Sequence, residues 1–176
     1  VLVTLLVIVM AVPLLKKRRR DAAGATVHHE VKTFSNFEVP VFKRIAVALD
    51  FSGKDEKLVA FALGKGKPDS RYILLHVVES ASARLLGDAS ADLESEKDKE
   101  QLQAYAQQLQ DKGINVAAKL GYRNRVAEIV RIVKEEQIDL LVMGAHGHTG
   151  FKDLIYGETI NKVRHELKIP VLVVNL

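Results

Sequence analysis

Five short apolar runs, each rich in β-branched residues and separated from the next by a segment with apolar residues at helical spacing, restrict the fold of this chain more than any other feature. The runs are Arg44–Asp50, Arg71–Val78, Ile114–Leu120, Asp139–Met143 and Pro170–Val174. Each is too short for a helix of ordinary length and nearly continuous in apolar character, the pattern of a strand buried on both faces. The intervening segments are Asp55–Lys65, a long polar stretch near Leu93–Lys112, Arg125–Gln137 and Thr159–Leu167; Val126, Ile129, Val130 and Val133 show their spacing. Right-handed crossovers then place helices on both faces of the sheet, so the expected class is α/β with a five-stranded, mostly parallel sheet. In such sheets ligands bind beyond the carboxyl ends of the strands, where the winding direction reverses. The loops after the first and fourth strands are therefore the places to look for chemistry. Ser80–Lys99 is polar enough to read as a mobile loop running into a helix.

The first forty residues have a different character. Val1–Leu15 carries no charge and a single polar residue, Thr4, so it belongs in lipid or in a core and not on a wet surface. It is shorter than the roughly 20 apolar residues of a spanning helix, and a start at Val instead of Met implies missing turns upstream. A secretory signal places its positive charge before the apolar run, whereas here Lys16-Lys17-Arg18-Arg19-Arg20 follows it. That order keeps everything downstream on the cytoplasmic side. The expected division is 1–20 as the end of a transmembrane helix with a basic stop, 21–41 as a linker, and 42–176 as the folded domain. The chain would then sit at an inner or plasma membrane, with residues 16–176 cytoplasmic and its own N-terminal membrane domain as a partner. His28-His29-Glu30 in the linker lacks a third ligand for a metal site.

Charge follows the same division: residues 1–41 hold six Lys/Arg against three Asp/Glu, and residues 42–176 hold twenty against nineteen. A nearly neutral domain argues against a nucleic acid partner, because that binding draws on many clustered phosphate contacts. The basic run suits anionic lipid heads or topology alone. No cysteine is present, which excludes disulfides and thiol catalysis.

After the fourth strand comes GAHGHTGFKDLIYGET, Gly144 to Thr159, ahead of a helix. Glycines let backbone amides approach a phosphate closely, and a helix N-terminus adds positive potential. With Gly144, Gly147 and Gly157 in register, this stretch resembles the signature of universal stress protein domains: a Gly, two residues, a Gly, nine residues, then Gly followed by Ser or Thr. DLLVMGAHGHTGF, KVRHELKIPVLVV and RIAVALDFSGKDEKLVAFAL are also similar to that family, so the resemblance covers roughly 130 residues. It implies the universal stress protein fold, which is adenine nucleotide alpha hydrolase-like, and an adenine nucleotide, ATP or AMP, with or without magnesium. By resemblance Asp50 lies near adenine or ribose and Val78 borders the base. Gly144, Gly147 and Gly157 hold phosphates, with the amides of His148 and Thr149 as donors, and Met143 belongs to the same contact set. The resemblance also implies a homodimer paired through the C-terminal strand. Family members are fused to several transporter types, including metal-ion carriers of the natural-resistance-associated macrophage protein type, and a regulatory domain on such a carrier is the expected context.

One residue departs from the signature. Glu158 stands where a hydroxyl is expected, and a carboxylate about 4 Å from a phosphate repels it by on the order of 1–4 kcal/mol. Thr159, one place later, supplies the hydroxyl if the turn shifts. The alternative is a dimerisation module that kept the fold and lost the ligand. His146 and His148 lack a third metal ligand, and their spacing is not that of a nucleotidyl transferase. His76, inside an apolar strand, reads as a packed histidine without a function. Lys162, Arg164 and Lys168 read as a solvated face suited to a helix C-terminus. No nucleophile–base pair and no paired carboxylates stand out, so the expectation is not an enzyme.

Overall fold

A computed structural model describes residues 36–87, 92–145 and 151–176, with backbone only for 151–157. Pro40–Leu176 form one compact unit, distinct from Val1–Val39. The apolar run, the basic run and residues 21–35 of the linker lie outside the described residues. Among the described residues no helix is long and apolar enough to cross a membrane.

The elements run β1 (Phe42–Ala48), α1 (Asp55–Leu63), β2 (Gly66–Val77), α2 (Ala81–Leu86), α3 (Leu93–Gln110), β3 (Val116–Gly121), α4 (Arg125–Glu135), β4 (Leu140–Ala145), α5 (Phe151–Glu166) and β5 (Val171–Asn175). The strands form one five-stranded sheet in the order β3-β2-β1-β4-β5, and every neighbouring pair is parallel. This is the expected sheet. Its winding reverses between β1 and β4, which are paired from Ile45↔Leu140 to Ala48↔Met143.

Both faces are covered, which is why the strand sequences are apolar without alternation. Ala46, Ile73, Leu75 and Leu141 pack with Ile129 and Ile132 of α4 and Val163 of α5. On the opposite face Ile45, Val47, Leu74 and Val142 pack with Leu58 of α1 and Leu102 of α3. Ile45, Leu58, Ile73, Leu74, Leu102 and Leu141 are almost entirely removed from solvent. Each such side chain contributes about 1.5–3 kcal/mol. Asp139 ties the strand entrances together, its carboxylate accepting from Lys43 N (2.8 Å) and Arg44 N (3.1 Å).

Three boundaries differ from the sequence reading. β2 starts at Gly66, because hydrogen bonds and not apolar burial extend it: Ser70 Oγ donates to Phe42 O (2.7 Å) and accepts from Lys67 N (2.8 Å). Within the segment read as a loop, α2 forms on Ser80, whose hydroxyl accepts from Ala83 N at 3.0 Å, and six residues are too few to show a period. Asp92 caps α3 in the same way, accepting from Ser95 N at 2.9 Å. Finally, α5 starts at Phe151, eight residues before the helical spacing begins, so Gly157 and Glu158 lie within the helix and not in a loop ahead of it.

Candidate functional site

At the winding reversal the chain leaves β1 through Leu49, Asp50 and Phe51 and turns into α1. The Asp50 carboxylate accepts from Ser52 N at 3.1 Å, closing a short Asx turn. Phe51 takes φ 56°, an uncommon conformation for an aromatic residue. Its ring stacks on His76 of β2, centroids 4.1 Å apart, and meets Tyr105 of α3 edge-on at 5.9 Å. His76 faces an acceptor on each side, Leu49 O at 2.9 Å from Nδ1 and Asp98 Oδ2 at 3.2 Å from Nε2. Both contacts are satisfied together only when both ring nitrogens carry a proton.

Around this stack lies a cleft of about 270 Å³, lined at the end of β1 by Ala48, Asp50 and Phe51, at the end of β2 by His76 and Val77, and at the end of β4 by Met143 and Gly144. This is just under the roughly 300–1,000 Å³ common for small-molecule sites. Thr159 and Ile160 of α5, Arg125 of α4, Glu94 and Asp98 of α3, Glu79 and Leu176 complete the wall. Leu176 is held by its N–H donating to Ala145 O at 3.0 Å. A Cβ on Gly144 would lie 2.5 Å from Leu176 Cδ1, so glycine is what lets this side chain close the wall. The ionisable lining is mostly acidic: Asp50, Glu79, Glu94 and Asp98 stand against His76 and Arg125, and Arg125 is itself ion-paired to Glu79.

Asp55, the first residue of α1, is 3% exposed; no partner meets good hydrogen-bond geometry at either carboxylate oxygen, and the backbone N–H groups of Asp50 and Phe51 lie near enough only for weak bonds. Burial pushes its carboxyl above the usual range and the charge of Asp50 adds to that, while the backbone N–H groups of Asp50 and Phe51 and the ring of His76 pull the other way.

The structure brings Asp50, Met143, Gly144 and Thr159 to one cleft. Val78 is not brought there: it is fully buried, its N–H donating to Gly121 O at 3.0 Å, and Val77 lines the cleft instead. Glu158 lies on α5 away from this cleft and pairs with Lys162 at 2.7 Å. The carboxylate expected to repel phosphate therefore has a cation one helical turn on, and Lys162 has a partner that the sequence reading did not give it. Gly147, His148 and Thr149 lie outside the described residues. His76 and Phe51 were passed over in the sequence because their contact joins residues 25 apart, which no local pattern reveals. Arg125 carried a usable signal, its place just after the helix cap Asn124. Among the described residues no group of three or more His, Cys, Asp or Glu is arranged to hold a metal ion.

Residues 42–175 match the family model described as the universal stress protein family. The chain belongs to this family. Universal stress protein MJ0577 of Methanocaldococcus jannaschii is 27% identical over 157 residues, covering 76% of this chain and 95% of that protein. The solved structure of MJ0577 is similar with a TM-score of 0.63 at 26% identity, covering 78% and 98% of the two chains. A universal stress protein from Archaeoglobus fulgidus in complex with dAMP shares the fold with a TM-score of 0.56 at 19% identity, covering 76% and 98%. A universal stress protein in complex with cAMP does so at 0.54 and 17%, covering 77% and 98%.

Proposed function

We propose that this universal stress protein domain binds an adenine nucleotide in the cleft between the ends of β1 and β4 and serves as a regulatory, non-enzymatic domain. The observation that carries this reading is the cleft itself. It lies at the winding reversal, with Asp50 and the Phe51–His76 stack on one side and Met143 and Gly144 on the other. The aromatic pair offers an apolar face to a base, and the carboxylates accept from ribose hydroxyls. Family members solved with dAMP and with cAMP support the ligand class. The apolar and basic runs at Val1–Arg20 support attachment to a membrane, with coupling to a transporter as the working context. The outer edge of β5 supports a homodimer paired through that strand.

Calorimetric titration of the 176-residue chain with adenosine, AMP and ATP, with and without magnesium, tests the reading. Saturable binding that is lost in Asp50→Ala is the expected result. Binding of none of the three would overturn the nucleotide reading and leave a dimerising scaffold, and phosphate released from ATP above buffer would overturn the non-enzymatic part.

A further inference from the structure

Among the described residues one histidine, His76, lines the cleft, and both of its ring nitrogens face acceptors. Leu49 O, 2.9 Å from Nδ1, is fixed in place, because the Leu49 N–H donates to Leu75 O at 2.8 Å. Asp98, 3.2 Å from Nε2, belongs to α3, which about two turns further on also brings Tyr105 edge-on against Phe51. The Phe51 ring is stacked on His76 at 4.1 Å, and its φ of 56° is a conformation that a large side chain keeps when its neighbours hold it there. The side chains of His76 and Asp98 are 11% and 20% exposed, so water does little to replace a lost contact between them. The other charged groups around His76 are Asp50 in the turn after β1, Asp55 of α1, Glu94 of α3, and Glu79 after β2, which is paired to Arg125 of α4. His146 and His148, after β4, lie outside the described residues.

A neutral imidazole keeps one ring proton. With that proton on Nδ1 for the fixed carbonyl, the Nε2 lone pair faces a carboxylate oxygen and the two repel. The link between β2 and α3 is then lost, and so is the positive ring under Phe51. We propose that Asp98 is a positioning residue for the cleft: it holds His76 as the imidazolium, the charged ring holds Phe51 in its left-handed conformation, and the site grips the base of its ligand less tightly as pH rises and His76 gives up its proton. This assignment rests on the nucleotide reading above for the ligand, but the coupling of His76 to Phe51 is defined without one. Histidine is the side chain whose charge changes between about pH 5 and 8. Losing a cation from beneath an aromatic ring at a partly exposed site corresponds to about a three- to fivefold fall in affinity across that range.

The test titrates the 176-residue chain with adenosine, which has no phosphate to change charge, by calorimetry from about pH 5 to about pH 8. Nuclear magnetic resonance follows the His76 ring nitrogens and the His76–Phe51 ring-to-ring NOE over the same range without ligand. Expected are a fall in adenosine affinity of about three- to fivefold with rising pH and an NOE that weakens as His76 loses its proton. In His76→Gln the pH profile should be flat. It should also be flat in Asp98→Asn, because the amide can turn to donate to a neutral Nε2. A wild-type profile kept in either variant would place the pH dependence in other groups, His146 and His148 included, and would overturn the proposal. A flat profile for bound adenosine, or an NOE unchanged while His76 titrates, would overturn it too. Adenosine that binds at no pH, with the NOE still following His76, would overturn the nucleotide reading and uphold the positioning of Phe51.

Discussion

Replacing Asp55 by Asn is expected to stabilise the domain at neutral pH. Asp55 is 3% exposed, its carboxylate has only weak contacts from the backbone N–H groups of Asp50 and Phe51, and Asp50 places a second negative charge beside it. An unsatisfied buried polar group costs about 1–3 kcal/mol, more when charged. Against that, an acid in the first turn of a helix gains about 0.3–1 kcal/mol from the helix dipole. Asn leaves a buried polar group at this position and removes only the charge, so the balance for Asp55→Asn is a gain of about 1 kcal/mol, or roughly 2–5 °C in melting temperature for a domain of this size. The pH dependence follows from the direction of the shift. The folded pKa lies above the ordinary 3.8, so between that value and the raised one the native state binds the proton more tightly than the unfolded chain. Stability therefore falls as pH rises through this window. The advantage of Asp55→Asn should be near zero below about pH 3.8 and grow as pH rises through the raised folded value. Urea unfolding of both proteins across that range measures it. A variant less stable than wild type at pH 7, or a difference independent of pH, would show that the carboxylate is satisfied by a partner and would refute the argument.

Gly144→Ala should push Leu176 out of the cleft wall, since the new Cβ would meet its Cδ1 at 2.5 Å, and should weaken nucleotide binding by about tenfold. Leu176→Ala alone should weaken binding to a similar degree and add little to Gly144→Ala, and calorimetry that finds no change in either single variant would remove Leu176 from the site. Glu128→Gln should cost about 1 kcal/mol at neutral pH, because Glu128 accepts from Arg131 and from Tyr122 N at 3.1 Å. The Arg131 hydrogen bond is the main cause that holds its carboxyl below 4.5, so the loss should be full above that value and disappear as pH falls through the lowered one. Denaturant unfolding at several pH values reads this, and a loss that persists at low pH would refute it.

The sheet was legible because its strands are buried on both faces, so β-branched residues such as Ile45, Val47, Ile73 and Val142 mark it in the sequence without help from context. What rests on single hydrogen bonds was not. The first residues of β2 depend on one serine hydroxyl, and α2 depends on one N-cap. Asp50, Met143 and Gly144, which the family resemblance singled out in the sequence, all line the cleft at strand ends. Val78 is buried and its neighbour Val77 lines the cleft, because a shift of one at a strand end turns a side chain to the other side. His76 read as a packed residue and is one, yet its packing partner is Phe51, which makes the pair an element of the cleft.

The strand that closes the cleft is also, with β3, one of the sheet's two edges among the described residues. β5 pairs with β4 alone, Asn175 O accepts from Lys57 Nζ at 2.9 Å, and the next residue, Leu176, rests on Gly144. A second protein that hydrogen-bonds along β5 and a small molecule that presses on Leu176 thus act on the two sides of one five-residue ribbon. Their binding free energies are coupled to the extent that the ribbon shifts, and the coupling is equal in both directions: whatever ligand occupancy does to strand pairing, strand pairing does to ligand affinity. If the proposed dimer forms along β5, ligand and partner would be coupled through the same ribbon, without a hinge, a lid or a change of fold.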